Sequence, residues 1–375
     1  MLRFLTSGES HGQCLTAILE GMVAGLPLDL EKINRELARR QFGYGRGGRM
    51  QIEQDRAEIL SGVRSGETIG GPLAIEIRNK DFKINELPVV KRPRPGHADL
   101  VGALKYGRMD IRDVLERASA RETAARVAVG AVARQFLGRF GVDILSHVVE
   151  IGGVRASVDG LAFRKIRDAA EKSPVRCADS AAGRRMVERI DAVKKAKDTV
   201  GGVFEVRAEG VVPGIGSFVQ YDVRLDARLA FALMSIQAVK AVEVGMGFAV
   251  ARTPGSGVHD EIFYDAKKKE YIRKTNRAGG IEGGMSNGET IVLRAATKPY
   301  ATLMKPLASV HIDTKAVEKA TIERSDVTAV PACGVVGEAM VAFELAKAYL
   351  EKFGGDSLEE TRRNFEATRR SIARR

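Results

Sequence analysis

The hydrophobic positions of the chain switch between helical and strand-like spacing, without the strict strand–helix alternation of a Rossmann fold. Apolar residues recur at helical spacing from Leu30 to Leu37 behind Asp29, which predicts a helix with that aspartate as its N-cap. Apolar and polar residues alternate in parts of 50–63 and 71–77, which predicts strands. The pattern therefore indicates mixed α and β structure.

Three later segments also have helical patterns. Ser119 and Glu122 stand three residues apart, the spacing of a capping box, and predict a long helix over 119–139. The almost wholly apolar segment 226–244 predicts a buried helix that stops at the following glycine. A last helix is predicted over 335–353, again closed by glycine.

No linker or low-complexity stretch stands out, and the length of the chain permits one large domain or two. The charged, helical segment 155–200 is interpreted as a peripheral addition. The basic C-terminal tail, 356–375, is predicted to be a solvated helix or a frayed end.

Composition narrows the classes of partner. The 375 residues carry a net charge of +12 with a sequence pI of about 9.6, which permits nucleic acid, an anionic membrane or a heavily charged metabolite. No run of about 18 apolar residues occurs and no signal-like segment begins the chain, so we expect a cytoplasmic protein without a membrane span. Cys14, Cys177 and Cys333 form no C-x-x-C pair, which argues against a disulfide framework or a zinc site.

The segment RRQFGYGRGGRM, Arg39 to Met50, concentrates arginine and glycine. Its GYGRGG formally fits the dinucleotide fingerprint, but a helix precedes it and a strand follows, which is the wrong order for that site. Arginine suits phosphate and carboxylate, and glycine allows close approach of the backbone, so an anion-binding loop is one interpretation. A surface turn and an RGG-type RNA contact remain alternatives.

Other candidate residues also indicate an anionic ligand. In ERASARETAARV, Arg117 and Arg121 crowd a predicted helix start that the helix dipole already makes positive. His11 and His97 lie in polar loops and could act as acid–base groups near neutral pH. Asp326 follows Arg324 closely, which by itself indicates only an ion pair. The residues alone thus favour an enzyme that acts on a multiply charged anionic metabolite.

Seven segments, taken together and in order, closely resemble the chorismate synthase family. They are GESHGQCLTAILEG, RRQFGYGRGGRM, RPGHADLVGALKY, ERASARETAARVAVGA, SIQAVKAVEVG, GGIEGGMSNGE with KPYATLMKPL, and RSDVTAVPACGVVGEA. The resemblance runs from about Gly8 to Glu338. Ala118 stands where many members have serine, and Gln237 where many have asparagine.

The resemblance implies a fold and an activity. The fold is a single domain over 1–375, an α+β sandwich with central helices between antiparallel β-sheets. The reaction is the 1,4-anti elimination of phosphate and a C6 hydrogen from 5-enolpyruvylshikimate 3-phosphate, which gives chorismate and ends the shikimate pathway. Members require reduced FMN although no net redox change occurs, and they are typically homotetramers.

The resemblance also implies roles for single residues. His11 would protonate the departing phosphate, His97 the reduced flavin, and Asp326 would help to take a proton from flavin N5. The implied substrate-binding residues are Arg40, Arg46, Arg49 and Arg121, of which Arg40 and Arg46 correspond to positions that also touch NADP. The implied FMN-binding residues are Arg117, Ala118, Ser119, Gln237, Ala238, Gly283, Lys298, Pro299, Tyr300, Ala301, Thr302 and Arg324.

Two other functions remain open from the sequence. An RNA-binding protein would bind RNA with a steep salt dependence and without flavin. An FMN oxidoreductase would consume NAD(P)H stoichiometrically. The chain length leaves no room for a reductase domain beside the family core, so NADPH would reduce the flavin through an external reductase.

Overall fold

The structure is a computed structural model that describes residues 1–47, 53–267, 270–323 and 326–374. Its strands are β1 (Arg3–Ser7), β2 (Cys14–Glu20), β3 (Ala57–Ser61), β4 (Val63–Arg64), β5 (Glu67–Thr68), β6 (Leu73–Arg78), β7 (Asp143–Ile151), β8 (Val154–Arg155), β9 (Gly202–Glu209), β10 (Val239–Val244), β11 (Ile262–Asp265), β12 (Glu270–Arg273), β13 (Ile281–Glu282), β14 (Met285–Ser286), β15 (Ile291–Thr297), β16 (Ala308–Val310) and β17 (Val317–Lys319). Its helices are α1 (Leu30–Gln41), α2 (Asp99–Tyr106), α3 (Arg112–Ala118), α4 (Thr123–Gly138), α5 (Phe163–Lys172), α6 (Ser180–Lys195), α7 (Leu225–Met234), α8 (Gly255–Val258), α9 (Val330–Phe353) and α10 (Leu358–Ile372).

Two antiparallel sheets form the main β layers of the described residues. One has the strand order β1-β2-β6-β3 and the other β10-β15-β9-β7-β8. Buried and half-buried residues alternate along β6 and along β15. This alternation is typical of a sheet that packs one face on a core.

The helices α4 and α9 lie between the two sheets and contact both. α9 is apolar around most of its circumference because it meets α4 on one side and strands β7 and β9 on another. Phe343 of α9 packs edge-on against Phe4 of β1, with ring centroids 4.7 Å apart. The α+β sandwich with central helices, expected from the family resemblance, is confirmed.

The two central helices approach each other at Gly130 of α4. A Cβ atom built on Gly130 would lie 2.3 Å from the Cβ of Ala339 in α9 and 2.4 Å from its Cα. Real Cβ atoms do not come so close to other atoms, so glycine is needed for this separation of the helices.

Several predicted elements are confirmed. α1 begins after Asp29, whose carboxylate accepts hydrogen bonds from the N–H groups of Glu31 and Lys32. Strands are found within both predicted segments, as β3 and β6. The last predicted helix is α9, which begins five residues earlier, with Pro331 in its first turn.

The prediction of one buried helix over 226–244 is wrong. Helix α7 ends at Met234, and residues 239–244 form β10, which pairs with β15. Ala238 has φ +72° and lies in the turn between the two elements. An apolar run can form a buried strand as well as a buried helix, and periodicity alone does not separate them.

The predicted capping box at Ser119 is also wrong. Ser119 Oγ accepts the N–H of Arg121, but the turn that follows is a 3₁₀ turn, and α4 begins only at Thr123. The Glu122 carboxylate turns away to accept hydrogen bonds from Thr6 and Arg126. Glu122 therefore bonds to these two side chains and does not cap the start of the helix.

The segment 155–200 contains helices α5 and α6, as its charge pattern indicates. For the C-terminal segment 356–375 the sequence predicts either a helix or a frayed end. The structure has a helix there, α10, with a capping box between Ser357 and Glu360. Phe365 of α10 is buried against an aromatic group, so this helix is packed on one side. Of the helices in the described residues, none combines the length and apolar character required to cross a membrane.

Candidate active site

His11 lies in the connection between β1 and β2 and is held on Glu116 of α3. Its Nδ1 is 3.0 Å from each Glu116 oxygen, and its backbone N–H donates to Oε2 at 2.8 Å. The Nε2 atom is 3.7 Å from Asp81 Oδ2, beyond hydrogen-bond distance. The ring is therefore anchored through Nδ1.

Glu116 is buried and charged. Burial alone would raise the pKa of its carboxyl, but the hydrogen bonds and charge of His11, and the hydrogen bond from Arg112, lower that pKa. Arg112 Nη1 lies 3.3 Å from Oε1. The carboxylate thus stands between the imidazole of His11 and the guanidinium of Arg112.

His97 is held in the same manner by Asp99, at the start of α2. Its Nδ1 is 2.5 Å from Asp99 Oδ1. Arg94 donates to both oxygens, from Nε at 2.8 Å and from Nη2 at 3.0 Å, and its Nη1 donates to Thr302 at 2.9 Å. Burial would raise the pKa of Asp99, but His97 and Arg94 hold it well below its usual range.

Arg40 and Arg121 meet on one buried carboxylate, Asp55. Arg40 Nη2 donates to Oδ2 at 2.8 Å and Arg121 Nη1 to Oδ1 at 2.6 Å. Burial lowers the pKa of Arg40, Asp55 opposes this, and the neighbouring charges of Arg121 and Arg46 lower it further. Among the described residues, Arg40 Nε and Arg121 Nη2 have no hydrogen-bond partner.

Asn79 joins this arginine pair to the His11 loop. Its Oδ1 accepts from Arg121 Nε at 2.9 Å, and its Nδ2 donates to the carbonyl oxygen of Gly12 at 2.6 Å. Orphaned guanidinium nitrogens beside a histidine loop are suited to an anionic ligand.

Asp326 meets the glycine-rich loop. Its Oδ2 lies 3.0 Å from Arg46 Nη1 and 3.3 Å from the Tyr300 hydroxyl, which donates to it. Burial raises the pKa of Cys333 to about 12, with Arg46 and Arg40 opposing and Asp326 adding to the effect. These residues therefore lie close to one another, and the positive charge of the loop is partly compensated by Asp55 and Asp326.

The residues implied for FMN form a chain of contacts along one side of this site. Arg117 donates to the Thr6 hydroxyl at 2.9 Å, Thr6 donates to Glu122 at 2.7 Å, and Gln237 Nε2 donates to Glu122 at 3.0 Å. The carbonyl oxygen of Ala238 accepts the N–H of Lys298.

From Lys298 the chain of contacts continues to the other groups. Lys298 Nζ donates to the carbonyl oxygen of Gly96, next to His97, at 2.7 Å. Thr302 accepts from Arg94, and Tyr300 reaches Asp326. The segment 298–302 therefore links the His97 and Asp326 groups.

The placement of Arg117 corrects the sequence interpretation. It lies in the last turn of α3, where a cation is favourable, and not at the start of the long helix. Its guanidinium also donates to the carbonyl oxygens of Gly8 and Thr6. The crowding inferred from sequence is therefore absent at Arg117, because a helix boundary separates it from Arg121.

The remaining implied residues differ in position. Ala118 and Ser119 end α3 beside the His11 loop, where Ser119 Oγ lies 3.2 Å from Ser10 Oγ. Pro299 is exposed and Ala301 half-buried. Gly283 lies in the turn between β13 and β14. The carbonyl oxygen of the next residue, Gly284, accepts the N–H of Leu225, the first residue of α7. Ala238 follows the other end of that helix. Arg49 and Arg324 lie outside the described residues.

Sequence reasoning did not single out the carboxylates Glu116, Asp99 and Asp55. Asp99 could have been found, because it lies two residues after His97 in the same polar loop. Glu116 is 105 residues from His11, and only the fold brings the two together. Asp55 likewise acquires its role from two arginines on different elements.

Comparison with known proteins gives one consistent result. The family model described as chorismate synthase matches residues 2–350. The chain is 58% identical to the chorismate synthase of Pelobacter propionicus and 56% identical to that of Geobacter sulfurreducens, over 98% of both chains in each case. A crystal structure of chorismate synthase superposes with a TM-score of 0.84 at 46% identity, over 100% of this chain and 99% of the other. The chain belongs to the chorismate synthase family, the lyases that form chorismate for aromatic amino acid biosynthesis.

Proposed function

We propose that the chain eliminates phosphate from 5-enolpyruvylshikimate 3-phosphate with reduced FMN as its cofactor. The observation that carries the proposal is the pair of histidines held on buried carboxylates, His11 on Glu116 and His97 on Asp99. The His11 loop is linked through Asn79 to Arg121, and His97 contacts Arg94. Both arginines are buried, and guanidinium groups suit a substrate with one phosphate and two carboxylates.

Arg40, Arg46 and Arg121 are proposed to hold the anionic groups of the substrate, together with Arg49. The support is two buried donors that have no hydrogen-bond partner in the described residues, Arg40 Nε and Arg121 Nη2, the second of which lies 3.8 Å from Glu53 Oε2. A substrate oxygen would satisfy them, and its negative charge would offset the burial and the repulsion by Arg121 and Arg46 that lower the pKa of Arg40.

His11 is proposed as the general acid. Phosphate leaves more readily when its departing oxygen receives a proton, and imidazole is the side chain suited to that step near neutral pH. With Nδ1 on Glu116, the proton would come from Nε2. The fixed main chain of the loop would hold the ring in place during the step.

The residues proposed for FMN fit an anionic cofactor with polar ring atoms. Burial, with the nearby charge of Lys240, lowers the pKa of Lys298, and a bound phosphate would reverse that effect. Gln237 Oε1 is buried and finds no hydrogen-bond partner in the described part of the chain, so a ring N–H of the cofactor would satisfy it.

When bound, reduced FMN supplies an electron that can be returned, so the elimination needs no net redox change. His97 is proposed to hold a proton beside the 298–302 segment, to which Gly96 and Arg94 connect it. Asp326, held by Arg46, is proposed to accept a proton. These side chains position and move protons, which is their contribution to the reaction.

Four finer points belong to the same proposal. NADPH is proposed as the reductant of the flavin through a separate reductase. Arg40 and Arg46 correspond to NADP-contacting positions of the family. We assign both to the substrate because Arg40 pairs with Asp55 and Arg46 pairs with Asp326. By family analogy we propose a homotetramer, with a cytoplasmic location and no nucleic-acid partner.

An anaerobic assay tests the proposal. Phosphate and chorismate are measured with and without chemically reduced FMN, and equal amounts of both products that require reduced FMN are expected. Consumption of one NADPH per product in the presence of a reductase would indicate a net oxidoreductase. RNA binding with a steep salt dependence and no turnover would indicate a nucleic-acid-binding protein.

A further inference from the structure

Glu116 contacts both the imidazole ring and the main chain of His11. It accepts the ring Nδ1–H and, through Oε2, the backbone N–H of the same residue. The Glu116 side chain is only 1% exposed. The carbonyl oxygen of His11 in turn accepts the N–H groups of Lys83 and Ile84, each at 3.1 Å. The main chain is thus fixed on both sides, and ring rotation is the freedom that remains.

We infer that Glu116 is a positioning residue for the elimination: it keeps a proton on Nδ1 of His11, so that Nε2 gives its proton to the departing phosphate. This inference rests on the proposed function, in which His11 is the acid. As the C–O bond breaks, one proton passes from Nε2 to the phosphate oxygen. The ring is left neutral, with its remaining hydrogen on Nδ1 and still donated to Glu116.

The groups around His11 support this assignment. Asp81 faces Nε2 at 3.7 Å, too far for a hydrogen bond, and is itself paired with Lys83 at 2.5 Å. Arg112 Nη1 also donates to Glu116 Oε1 at 3.3 Å, and His11, with a smaller contribution from Arg112, lowers the pKa of that carboxyl. A carboxylate that stays ionised favours the charged imidazole before the step and the Nδ1–H form after it.

A related but different arrangement occurs at His97. Asp99 Oδ1 lies 2.5 Å from its Nδ1, but Arg94 Nη2 lies 3.1 Å from the same nitrogen. At His11 the carboxylate of Glu116 contacts Nδ1 and Arg112 contacts the carboxylate, so the inference is drawn for His11 alone.

The test compares Glu116→Gln with Glu323→Gln. Glu323 Oε1 accepts a hydrogen bond from Arg112 Nη2 at 3.0 Å. Glu323→Gln therefore alters the surroundings of Arg112 without removing a contact of His11. For Glu116→Gln we expect kcat to fall roughly tenfold to hundredfold, part of the 10²–10⁴ expected for losing an acid altogether. The pH dependence of kcat should also change, because the negative charge that faces the ring is gone. KM and the Glu323→Gln profile should change little. A Glu116→Gln profile that matches wild type, whatever its stability, would overturn the inference.

A second measurement needs neither turnover nor a folded Glu116 variant. ¹⁵N NMR of the imidazole rings in the unaltered protein, assigned by signal loss in His11→Ala, reports which nitrogen carries the hydrogen in neutral His11. Hydrogen on Nδ1 is expected, and hydrogen on Nε2 would refute the inference. Failure of the proposed function has a different result, wild-type turnover of His11→Ala.

Discussion

Asp326 accepts a hydrogen bond from the backbone N–H of Gly47, with 2.5 Å between the nitrogen and Oδ1. Its other oxygen lies 3.0 Å from Arg46 Nη1. One carboxylate therefore holds both the backbone and the side chain of the glycine-rich loop. A change at Asp326 will affect the loop as well as any proton transfer.

Arg46→Ala is expected to lower kcat/KM at least tenfold, because a hydrogen bond to a charged group contributes roughly 1.5–3 kcal/mol. Arg35→Ala, on the exposed side of α1, is the control. The double variant Arg46→Ala with Asp326→Asn should lose less than the sum of the single losses, because the residues are in contact. Wild-type kinetics in Arg46→Ala would exclude the arginine from substrate binding.

Arg117→Ala is expected to raise the Kd for FMN at least about tenfold while lowering the melting temperature only slightly, because the side chain is exposed yet joined to Thr6 and Gly8 at the proposed flavin site. Flavin fluorescence titration and thermal unfolding measure the two effects, with exposed Arg108→Ala as the control. A lowered melting temperature with unchanged FMN affinity would mean that Arg117 only supports the loop.

His11→Ala and His97→Ala should differ. For His11→Ala we expect kcat to fall by roughly 10²–10⁴ with FMN binding almost intact, as for loss of a general acid. For His97→Ala we expect a changed spectrum of the bound reduced flavin. Anaerobic kinetics and absorbance with substrate bound measure both. The reverse pattern would show that the two roles are exchanged.

Glu205 should contribute to the acid sensitivity of the fold. Burial would raise the pKa of this carboxyl, but His147, Arg207 and Arg294 lower it from 4.5 to about 2. A depressed pKa gives stability that is present above about 4.5 and is lost as the pH falls towards 2. Denaturant unfolding of Glu205→Gln should show a weaker loss of stability across this window than wild type. Glu209→Gln, at the exposed end of the same strand, is the control, and equal slopes in the two variants would contradict the prediction.

Gly130→Ala should destabilise the fold by about 1–3 kcal/mol or more, because the added methyl group would overlap Ala339 of α9. Gly138→Ala in the same helix has nothing within 4 Å of the added atom and should be neutral or stabilising by up to about 1 kcal/mol. Denaturant midpoints measure both changes. Equal stability of the two variants would show that the helices can separate without cost.

Local patterns predicted the elements that local interactions determine. The Asp29 cap of α1 and the apolar helix α9 follow from residues close in sequence. The strand β10 was missed because its partner, β15, begins about fifty residues later. The Ser119 box failed because Glu122 finds Thr6 and Gln237, which no short window contains.

The candidate site follows the same division. The family resemblance named His11, His97 and Asp326, and the fold brings each beside a charged partner. Their supports are less accessible to sequence reasoning, since Glu116 and Asp55 act across long separations. A buried carboxylate between two cations is a tertiary feature, and composition and spacing do not reveal it.

The position of α9 bears on how the chain is synthesised. This helix lies between the two sheets, yet every strand of both sheets precedes it in the chain. A nascent chain with both sheets made would still expose apolar faces until α9 emerges from the ribosome. We expect ribosome-bound fragments that end before residue 330 to recruit chaperones or aggregate, and the native fold to form only after residues 330–353 have left the ribosome.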